Sequence, residues 1–164
     1  MAKISVGLDI GIASIKVVSL AKDKDQFKLI SLGSIVSPKP GILSDSEGDL
    51  EALTEAIKKL FQAARIGERE VVIALPESRV FTRVIDDLPF LSDSELTSAI
   101  RYAAEEFIPM PLSEVNLNWQ ILLRYDSKNK DSKTVVLVID SPKRAEAKYI
   151  KVLSMVGLHP KALE

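Results

Sequence analysis

Several residue types and patterns are missing from this sequence, and each absence excludes a class of protein. The chain has no cysteine, which excludes disulfides and thiolate metal sites, and its single histidine, His159, excludes a histidine-rich metal centre. No apolar run approaches the roughly 18 to 20 residues that cross a bilayer, and we expect no secretory signal. The formal net charge is −1 with both signs interspersed, so no nucleic-acid surface or basic membrane face is predicted. The default prediction is a soluble cytoplasmic protein.

The chain does contain enough apolar residues for an ordinary core, since 46% of its 164 residues are hydrophobic. Its first half predicts three strands joined by short polar turns, then an amphipathic helix and a continuous apolar strand. These elements cover residues 4–10, 14–21, 27–36, 50–64 and 70–76. The last strand shows no alternation, which is typical of a strand covered on both faces. The order is β-β-β-α-β.

The second half predicts the order β-α-β-β-α after a boundary near residues 76–79. A strand with one exposed face ends at Pro89, and a helix follows, with Ser92 and Glu95 in the spacing of a capping box. Two strands come next, joined by a polar loop, and a last helix begins at Ser141 and ends at Gly157. The two strands cover residues 115–123 and 134–140, and the loop covers 124–133.

The stretch "LDIGIASIK" carries Asp-x-Gly-x-x-Ser-x-Lys around the first turn. Gly11 has no Cβ, so a phosphate can approach the backbone closely, and the N–H groups of Ile12 and Ala13 can point at its oxygens. Ser14 offers a hydroxyl donor and Lys16 a positive charge. The pattern therefore predicts a phosphate-binding hairpin.

Asp9 completes this pattern, because a carboxylate at the end of the strand can orient water around Mg²⁺, an ion that needs few direct protein ligands. The alternative is a plain hairpin. Glycine, aspartate and serine are ordinary turn residues, and a lysine on a strand is usually a solvated charge. Short glycine motifs are weak on their own, so the surrounding sequence has to decide.

The hairpin "GLDIGIASIKVVSL" and the segment "VIDDLPFLSDSELTSAIRYAAEEFIPMPLSEV" together resemble the family of the bacterial type IV pilus assembly protein PilM, a relative of the division protein FtsA. The hairpin is shared across the actin, Hsp70 and sugar-kinase superfamily, whereas "LP", a capped acidic helix and "FIPMPLSEV" are more specific to PilM. The resemblance covers most of the chain. It implies an α/β fold: a truncated actin-like (RNase H-like) first lobe with an inserted β-α-β-β-α subdomain.

The resemblance also implies a division of the chain into three segments. Residues 1–78 correspond to the first half of the actin-like subdomain, 79–157 to the inserted subdomain, and 158–164 to an interrupted return toward the actin-like part. A PilM chain is much longer, so its second phosphate motif, adenosine-binding glycines and second lobe are expected beyond residue 164.

The same resemblance implies a function. Asp9, Gly11, Ser14 and Lys16 fall on the family's first phosphate motif, with ATP and Mg²⁺ as cofactors that this half-site holds weakly or not at all. At most weak ATPase activity is expected of a full-length protein, and none of this chain. The implied partners are the cytoplasmic N-terminal tail of PilN, held in a cleft between the actin-like part and the inserted subdomain, and other inner-membrane pilus proteins. The protein is expected to be cytoplasmic and peripheral to that membrane.

Three alternatives remain. They are an FtsA-like division protein, a GspL-like secretion scaffold that does not bind nucleotide, and a sugar kinase, whose catalytic aspartate is expected outside these residues. The intact phosphate motif favours a nucleotide-binding scaffold. Because the chain is interrupted at Glu164, we expect an uncovered apolar sheet edge or face around residues 70–76 and the helix 50–64. Self-association by strand pairing or by exchange of the inserted subdomain is the expected result.

Other residues attract functional interpretations that the sequence supports less well. Trp119 alternates with apolar neighbours, which favours a core position over a binding hot spot. The acidic pairs at 86–87 and 105–106 have no convergent partner and are predicted to be solvated charges. His159 has no visible partner and receives no function. The segment 107–111, "FIPMP", either covers the core or forms part of a groove.

Overall fold

The computed structural model describes residues 3–24, 26–76, 79–125 and 133–164. Within these residues the chain has eight strands and three α-helices. They are β1 Lys3–Ile10, β2 Ser14–Asp23, β3 Gln26–Val36, α1 Glu47–Ala63, β4 Glu70–Ala74, β5 Phe81–Pro89, α2 Asp93–Glu105, β6 Val115–Tyr125, β7 Lys133–Pro142, α3 Lys143–Val156 and β8 His159–Leu163. The sequence did not predict β8 or two short 3-10 turns, at Gly41–Leu43 and Leu112–Glu114.

The mixed α/β fold class is confirmed, and the chain divides into two compact units. The first unit is Met1–Pro76 with Ala147–Glu164, and the second is Glu77–Glu146. Most of the polar loop predicted at 124–133, and the centre of the boundary predicted at 76–79, lie outside the described residues. No helix in the described part of the chain is long and apolar enough to cross a membrane.

The first unit is built on a five-stranded sheet in the order β3-β2-β1-β4-β8. β1, β2 and β3 form the antiparallel meander that the sequence predicts, and β4 and β8 are added in parallel. β4 runs parallel to β3 with β2 and β1 between them, so the chain has to cross over the sheet after β3, and this crossover contains α1.

One face of this sheet carries the core of the first unit. Leu8 and Ile10 of β1, Ile15 of β2 and Ile73 of β4 are almost completely buried on this face. Helices α1 and α3 cover them with their apolar stripes, which are Leu50, Leu53, Ile57, Leu60 and Phe61 on α1 and Tyr149, Val152, Leu153 and Val156 on α3. Each side chain of this size contributes about 1.5–3 kcal/mol when buried, so the two helices hold the sheet in place.

Helix α3 belongs with the first core, although the sequence-based division assigned it to the segment 79–157. Its four buried residues follow the spacing i, i+3, i+4, i+7 and contact the first sheet's core, and residues from Ala147 onward cluster with the first unit. The chain therefore returns to the first unit inside a helix.

The uncovered surface of the first unit differs from the expectation. The edge of β4 is not open, because β8 pairs along it, and the stripe of helix 50–64 is buried rather than exposed. Only one face of β4 is buried: Val71 and Ile73 are, but Val72 on the opposite face is half-buried, and neither helix of the first unit covers that face. The exposed large apolar residues concentrate on the edge strand β3, at Phe27, Leu29, Ile30, Leu32 and Val36.

The second unit is a three-stranded antiparallel sheet in the order β5-β7-β6, with α2 on one face. Leu96 and Ile100 of α2 pack against Ile85 of β5 and against Val136 and Val138 of β7. Burial drives this packing, as it does in the first unit.

Helix α2 begins with the capping box that the sequence predicts. The Ser92 hydroxyl accepts a hydrogen bond from the Glu95 N–H, and the Glu95 carboxylate accepts one from the Ser92 N–H at 3.0 Å. The Ser92 hydroxyl also donates to the Glu95 carboxylate at 2.6 Å, and this bond, followed by the one from the Ser92 N–H, holds the pKa of the Glu95 carboxyl below its ordinary value. Orphan N–H groups at both residues are thereby satisfied, which makes this end of α2 well defined.

Candidate functional site

The predicted phosphate hairpin is the turn between β1 and β2. Asp9 and Lys16 are direct partners in the antiparallel ladder, and the next pair toward the turn is Ile10 and Ile15. Both isoleucines are completely buried in the first core. The turn is therefore anchored by packing and presents its three loop residues, 11–13, in a fixed position.

Gly11 is required by a close backbone approach. Its N–H donates to the Ser14 carbonyl at 3.1 Å and closes the turn. A Cβ at this position would lie 2.8 Å from that same carbonyl oxygen, closer than real Cβ contacts, and 3.8 Å from Oδ1 of Asp9. A side chain here would collide with the turn, so the glycine is explained by geometry before any ligand is considered.

The N–H groups of Ile12 and Ala13 have no hydrogen-bond partner among the described residues. Ile12 is half exposed, so its amide lies at the surface of the turn. The Ala13 carbonyl, in contrast, accepts a hydrogen bond from the Ser37 N–H at 3.1 Å. Adjacent free backbone donors are the groups with which protein turns can hold an anion.

Ser37 is a site residue that the sequence analysis missed. It follows β3 directly, it is 2% exposed, and its backbone ties the turn to the end of β3. Nothing in the local pattern singles it out, because the contact joins residues that are far apart in the chain. The one indication in the sequence was its position, directly after the third strand of a meander in which that strand pairs with β2.

Lys16 and Asp9 form an ion pair across the ladder, with Nζ of Lys16 3.5 Å from Oδ2 of Asp9. Both side chains are largely exposed, at 62% and 45%. An exposed pair of this kind contributes at most about 1 kcal/mol, so Lys16 can leave Asp9 for a more strongly charged partner at little cost. The hairpin thus carries an exposed positive charge that is only weakly held by its ion pair.

Beside this pair lies an open cavity of about 450 Å³ on the sheet face that the helices leave uncovered. Asp9 and Lys16 line it together with apolar residues that include Gly7, Val18 and Val72. Small-molecule sites are typically apolar clefts of about 300–1,000 Å³ with a few polar groups, and this cavity falls in that range.

Among the hairpin residues the donor set for a metal is one carboxylate, that of Asp9, and Glu164 adds a second acidic residue to the lining of the cavity. No group of three or more His, Cys, Asp or Glu side chains capable of holding a metal ion occurs among the described residues. Asp9 alone fits Mg²⁺ that keeps most of its waters, and it does not fit a metal held directly by the protein.

The other residues considered from the sequence take structural positions. Ile108 is buried and Met110 packs partly against it, so the segment 107–111 contributes to a small core. Trp119 is 37% exposed, so the expected core position is only partly realised. Asp86 and Asp87 are exposed at a bulge in β5, between Ile85 and Leu88.

A buried carboxyl in the second unit also went unnoticed in the sequence. Asp140 near the end of β7 is 1% exposed, and neither of its oxygens has a hydrogen-bond partner within the described ranges. Burial raises the pKa of its carboxyl above the ordinary value. In the second sheet, Asp140 pairs with Phe81 of β5 and Leu117 of β6. It therefore belongs to the second unit, whereas the hairpin belongs to the first.

Comparison with known proteins gives two kinds of match. A family model described as type IV pilus assembly protein PilM matches residues 7–164. A solved structure titled "PilM-PilN type IV pilus biogenesis complex" is 31% identical, with a TM-score of 0.81, and covers 98% of this chain and 46% of that chain. A structure of the Aquifex aeolicus PPX-GPPA enzyme is 12% identical, with a TM-score of 0.41, and covers 100% of this chain and 36% of that one.

Proposed function

The chain belongs to the family of the type IV pilus assembly protein PilM, and from this premise we propose that it is a cytoplasmic, nucleotide-binding scaffold of pilus assembly. In this proposal the turn of β1 and β2 binds the phosphates of ATP, with Mg²⁺ beside Asp9. The protein also binds the cytoplasmic N-terminal tail of PilN, and through PilN and related proteins it is peripheral to the inner membrane.

The observation that carries the nucleotide proposal is the pair of free N–H groups at Ile12 and Ala13. Gly11 lets the turn close on the Ser14 carbonyl, where a Cβ would collide, and Lys16 can add its charge after leaving Asp9. Charge-assisted hydrogen bonds from backbone N–H groups and a lysine are the usual means of holding phosphate oxygens. Ser14 is the first residue of β2, and in this proposal its hydroxyl joins these donors.

Asp9 also supports the proposal. Its carboxylate is 45% exposed and points toward Lys16. When Lys16 moves to a phosphate, Asp9 is left without its cation and can accept hydrogen bonds from Mg²⁺-bound water. Mg²⁺ supplies charge neutralisation to the phosphates when it is bound, and no catalytic group is assigned to this chain.

The chain spans 46% of the PilM chain that it matches, so the activity and partners of a whole PilM protein are proposals for this one. A turn with two amides and a lysine contacts phosphates only. We therefore expect the 164 residues to bind ATP weakly, since no adenosine pocket is assigned to them.

The PilN proposal rests on the matched complex. The matched structure is named as a complex of PilM with PilN. This chain matches it at 31% identity over 98% of this chain's own residues. A short cytoplasmic tail is most simply bound as an extended segment that offers main-chain hydrogen bonds and apolar side chains.

A GspL-like scaffold without nucleotide is the second candidate function. The observation in its favour is the Asp9–Lys16 ion pair, because a lysine that stays paired leaves the turn a plain hairpin. An FtsA-like division protein is a further alternative, but the family match favours pilus assembly.

Amide NMR during a titration with ATP and Mg²⁺ tests the nucleotide proposal. We expect the signals of Ile12 and Ala13 to move with the added nucleotide, while those of Lys22 and Asp23, at the far end of β2, stay in place. The same titration with adenosine tests whether phosphate is the recognised group. If Ile12 and Ala13 do not respond to ATP, the turn is not the phosphate site, and the scaffold without nucleotide is favoured.

A further inference from the structure

The second unit contains a groove that the proposed function does not use. It lies between the edge strand β5 and helix α2 and has a volume of about 400 Å³. The β5 wall is a run of consecutive residues, 83–88, and the α2 wall consists of residues three or four apart on one side of the helix. A run of consecutive strand residues lines a pocket only along the strand's edge, because alternate side chains point to opposite faces.

β5 has a free edge in this groove. It pairs with β7 on one side, and no other described strand pairs with it. In an antiparallel ladder, alternate residues direct their N–H and C=O groups away from the partner strand. Most of β5 is exposed, from Phe81 to Val84 and again at Asp86 and Asp87. The edge therefore offers a row of main-chain donors and acceptors.

Small side chains line the α2 side of the groove where an added strand would need space. Ala99 and Ala103, one turn apart, are half-buried and line the groove, with the largely exposed Tyr102 beside them. At one end the Arg83 guanidinium lies 5.0 Å from the centre of the Phe107 ring. The methyl side chains leave a space beside β5 that larger side chains would fill.

The charge of the groove is negative. Asp86 and Asp87 occupy a bulge between Ile85 and Leu88, both of which are buried, and Glu106 adds a carboxylate from the α2 side. Arg83 is the cation among the lining residues, and its guanidinium stacks on Phe107. The complementary partner carries a basic side chain opposite the bulge.

We propose that this groove binds an extended segment of a partner protein, which is added to the sheet as a strand beside β5. An apolar side chain of the segment contacts Ala99 and Ala103, and a basic side chain lies at Asp86 and Asp87. Main-chain hydrogen bonds to the free edge supply affinity, and these two contacts supply specificity. The proposal depends on neither nucleotide nor the PilN tail.

Bulges and charges also protect strand edges from pairing with other copies of a chain. Protection requires only the charges, whereas this edge also faces a cavity with small apolar side chains on its far wall. The combination favours a bound segment over a blocked edge.

The test uses a synthetic peptide of about nine residues in which valine and threonine alternate around a central lysine, with blocked ends. Amide NMR on the whole chain should show shifts along β5 and on the Ala99–Ala103 side of α2, and none at Lys16. A peptide with central glutamate should bind about fivefold more weakly, which corresponds to one exposed charge pair. A peptide with alternate N-methylated amides should not bind.

Two variants with matched controls locate the site. Ala103→Leu fills the groove and should abolish binding, whereas Ser98→Leu adds the same bulk at an exposed position of α2 outside the groove and should not. Asp87→Lys keeps the core intact and should reverse the preference, so that the glutamate peptide binds more tightly, whereas Glu105→Lys should leave the preference unchanged.

The opposite results overturn the proposal. Binding of the N-methylated peptide at full strength excludes strand addition. No binding by any of the peptides means that the edge is blocked by its own charges. A dimer in sedimentation that Asp87→Lys disrupts means that the occupant is a second copy of this chain.

Discussion

Replacing Gly11 with alanine separates the geometry of the turn from its ligand. The added Cβ would lie 2.8 Å from the Ser14 carbonyl oxygen, a backbone atom that cannot rotate away as a side chain can. The turn has to open by a few tenths of an ångström, which weakens the Gly11 N–H bond to Ser14. Overpacking with backbone shifts costs about 1–3 kcal/mol, and we expect a loss of about 2 kcal/mol in the free energy of unfolding of the first unit.

Gly67→Ala is the matched control. Nothing lies within 4 Å of a Cβ at Gly67, and its φ is not in the left-handed region. Alanine there restricts the unfolded chain without a clash, so we expect stability to stay the same or to rise by about 0.4–1 kcal/mol. Urea unfolding followed by the amide signals of β1 and β2 measures both variants in the same unit.

The ligand side of the same experiment is the affinity for ATP. Opening the turn moves the N–H groups of Ile12 and Ala13, so Gly11→Ala should weaken ATP binding at least about fivefold, the equivalent of one hydrogen bond of about 1 kcal/mol. Gly67→Ala should bind ATP as the wild type does. If Gly11→Ala has wild-type stability, the close approach does not constrain the turn. If it loses stability but binds ATP unchanged, the turn is not the phosphate site.

Three further predictions test other parts of the molecule. Lys16→Ala should weaken ATP binding by about 1.5–3 kcal/mol in calorimetry, whereas Lys22→Ala on the same strand should not. If Lys16→Ala binds ATP as tightly as the wild type does, Lys16 is a solvated strand residue that does not contact phosphate. Sedimentation should show that the chain self-associates at micromolar concentrations. Leu32→Lys on the β3 edge should remove this association, whereas Leu43→Lys should not. A wild-type chain that stays monomeric would refute the prediction. Because burial raises the pKa of Asp140, the folded state holds its proton more tightly, so its contribution to stability falls as pH rises from about 3.9. Asp140→Asn should flatten that fall in pH-dependent urea unfolding, and an unchanged profile would contradict it.

The parts of the structure that the sequence predicted are those held by local contacts. The meander of β1 to β3 needs only alternating apolar residues and short turns, and its pairing register places Asp9 opposite Lys16, as expected for a hairpin closed at Gly11. The capping box of α2 is equally local, because Ser92 and Glu95 are three residues apart. Both could be read from a short window of sequence.

The parts that the sequence did not predict depend on distant contacts. Strand β8 has only five residues and no clear apolar alternation, so its sequence does not predict a strand. It forms a strand because it pairs in parallel with the edge of β4. Ser37 enters the site only because β3 pairs with β2 and so ends beside Ala13. The last helix was predicted from its two ends alone, and periodicity cannot say which sheet the apolar stripe of a helix will cover.

The two interpretations of the hairpin, as a phosphate site and as a plain turn, share one folded structure. Ile10 and Ile15 are buried, Gly11 is required by the Ser14 carbonyl, and Ser37 holds Ala13, and none of these contacts involves a ligand. The turn is therefore already organised, so the binding of a phosphate there would not include the entropy cost of ordering the loop. The interpretations differ only in what the N–H groups of the turn and the Lys16 ammonium contact. If the turn is the phosphate site, a substitution at Lys16 should change affinity with little change in stability, since an exposed ion pair adds at most about 1 kcal/mol, whereas one at Gly11 should change both.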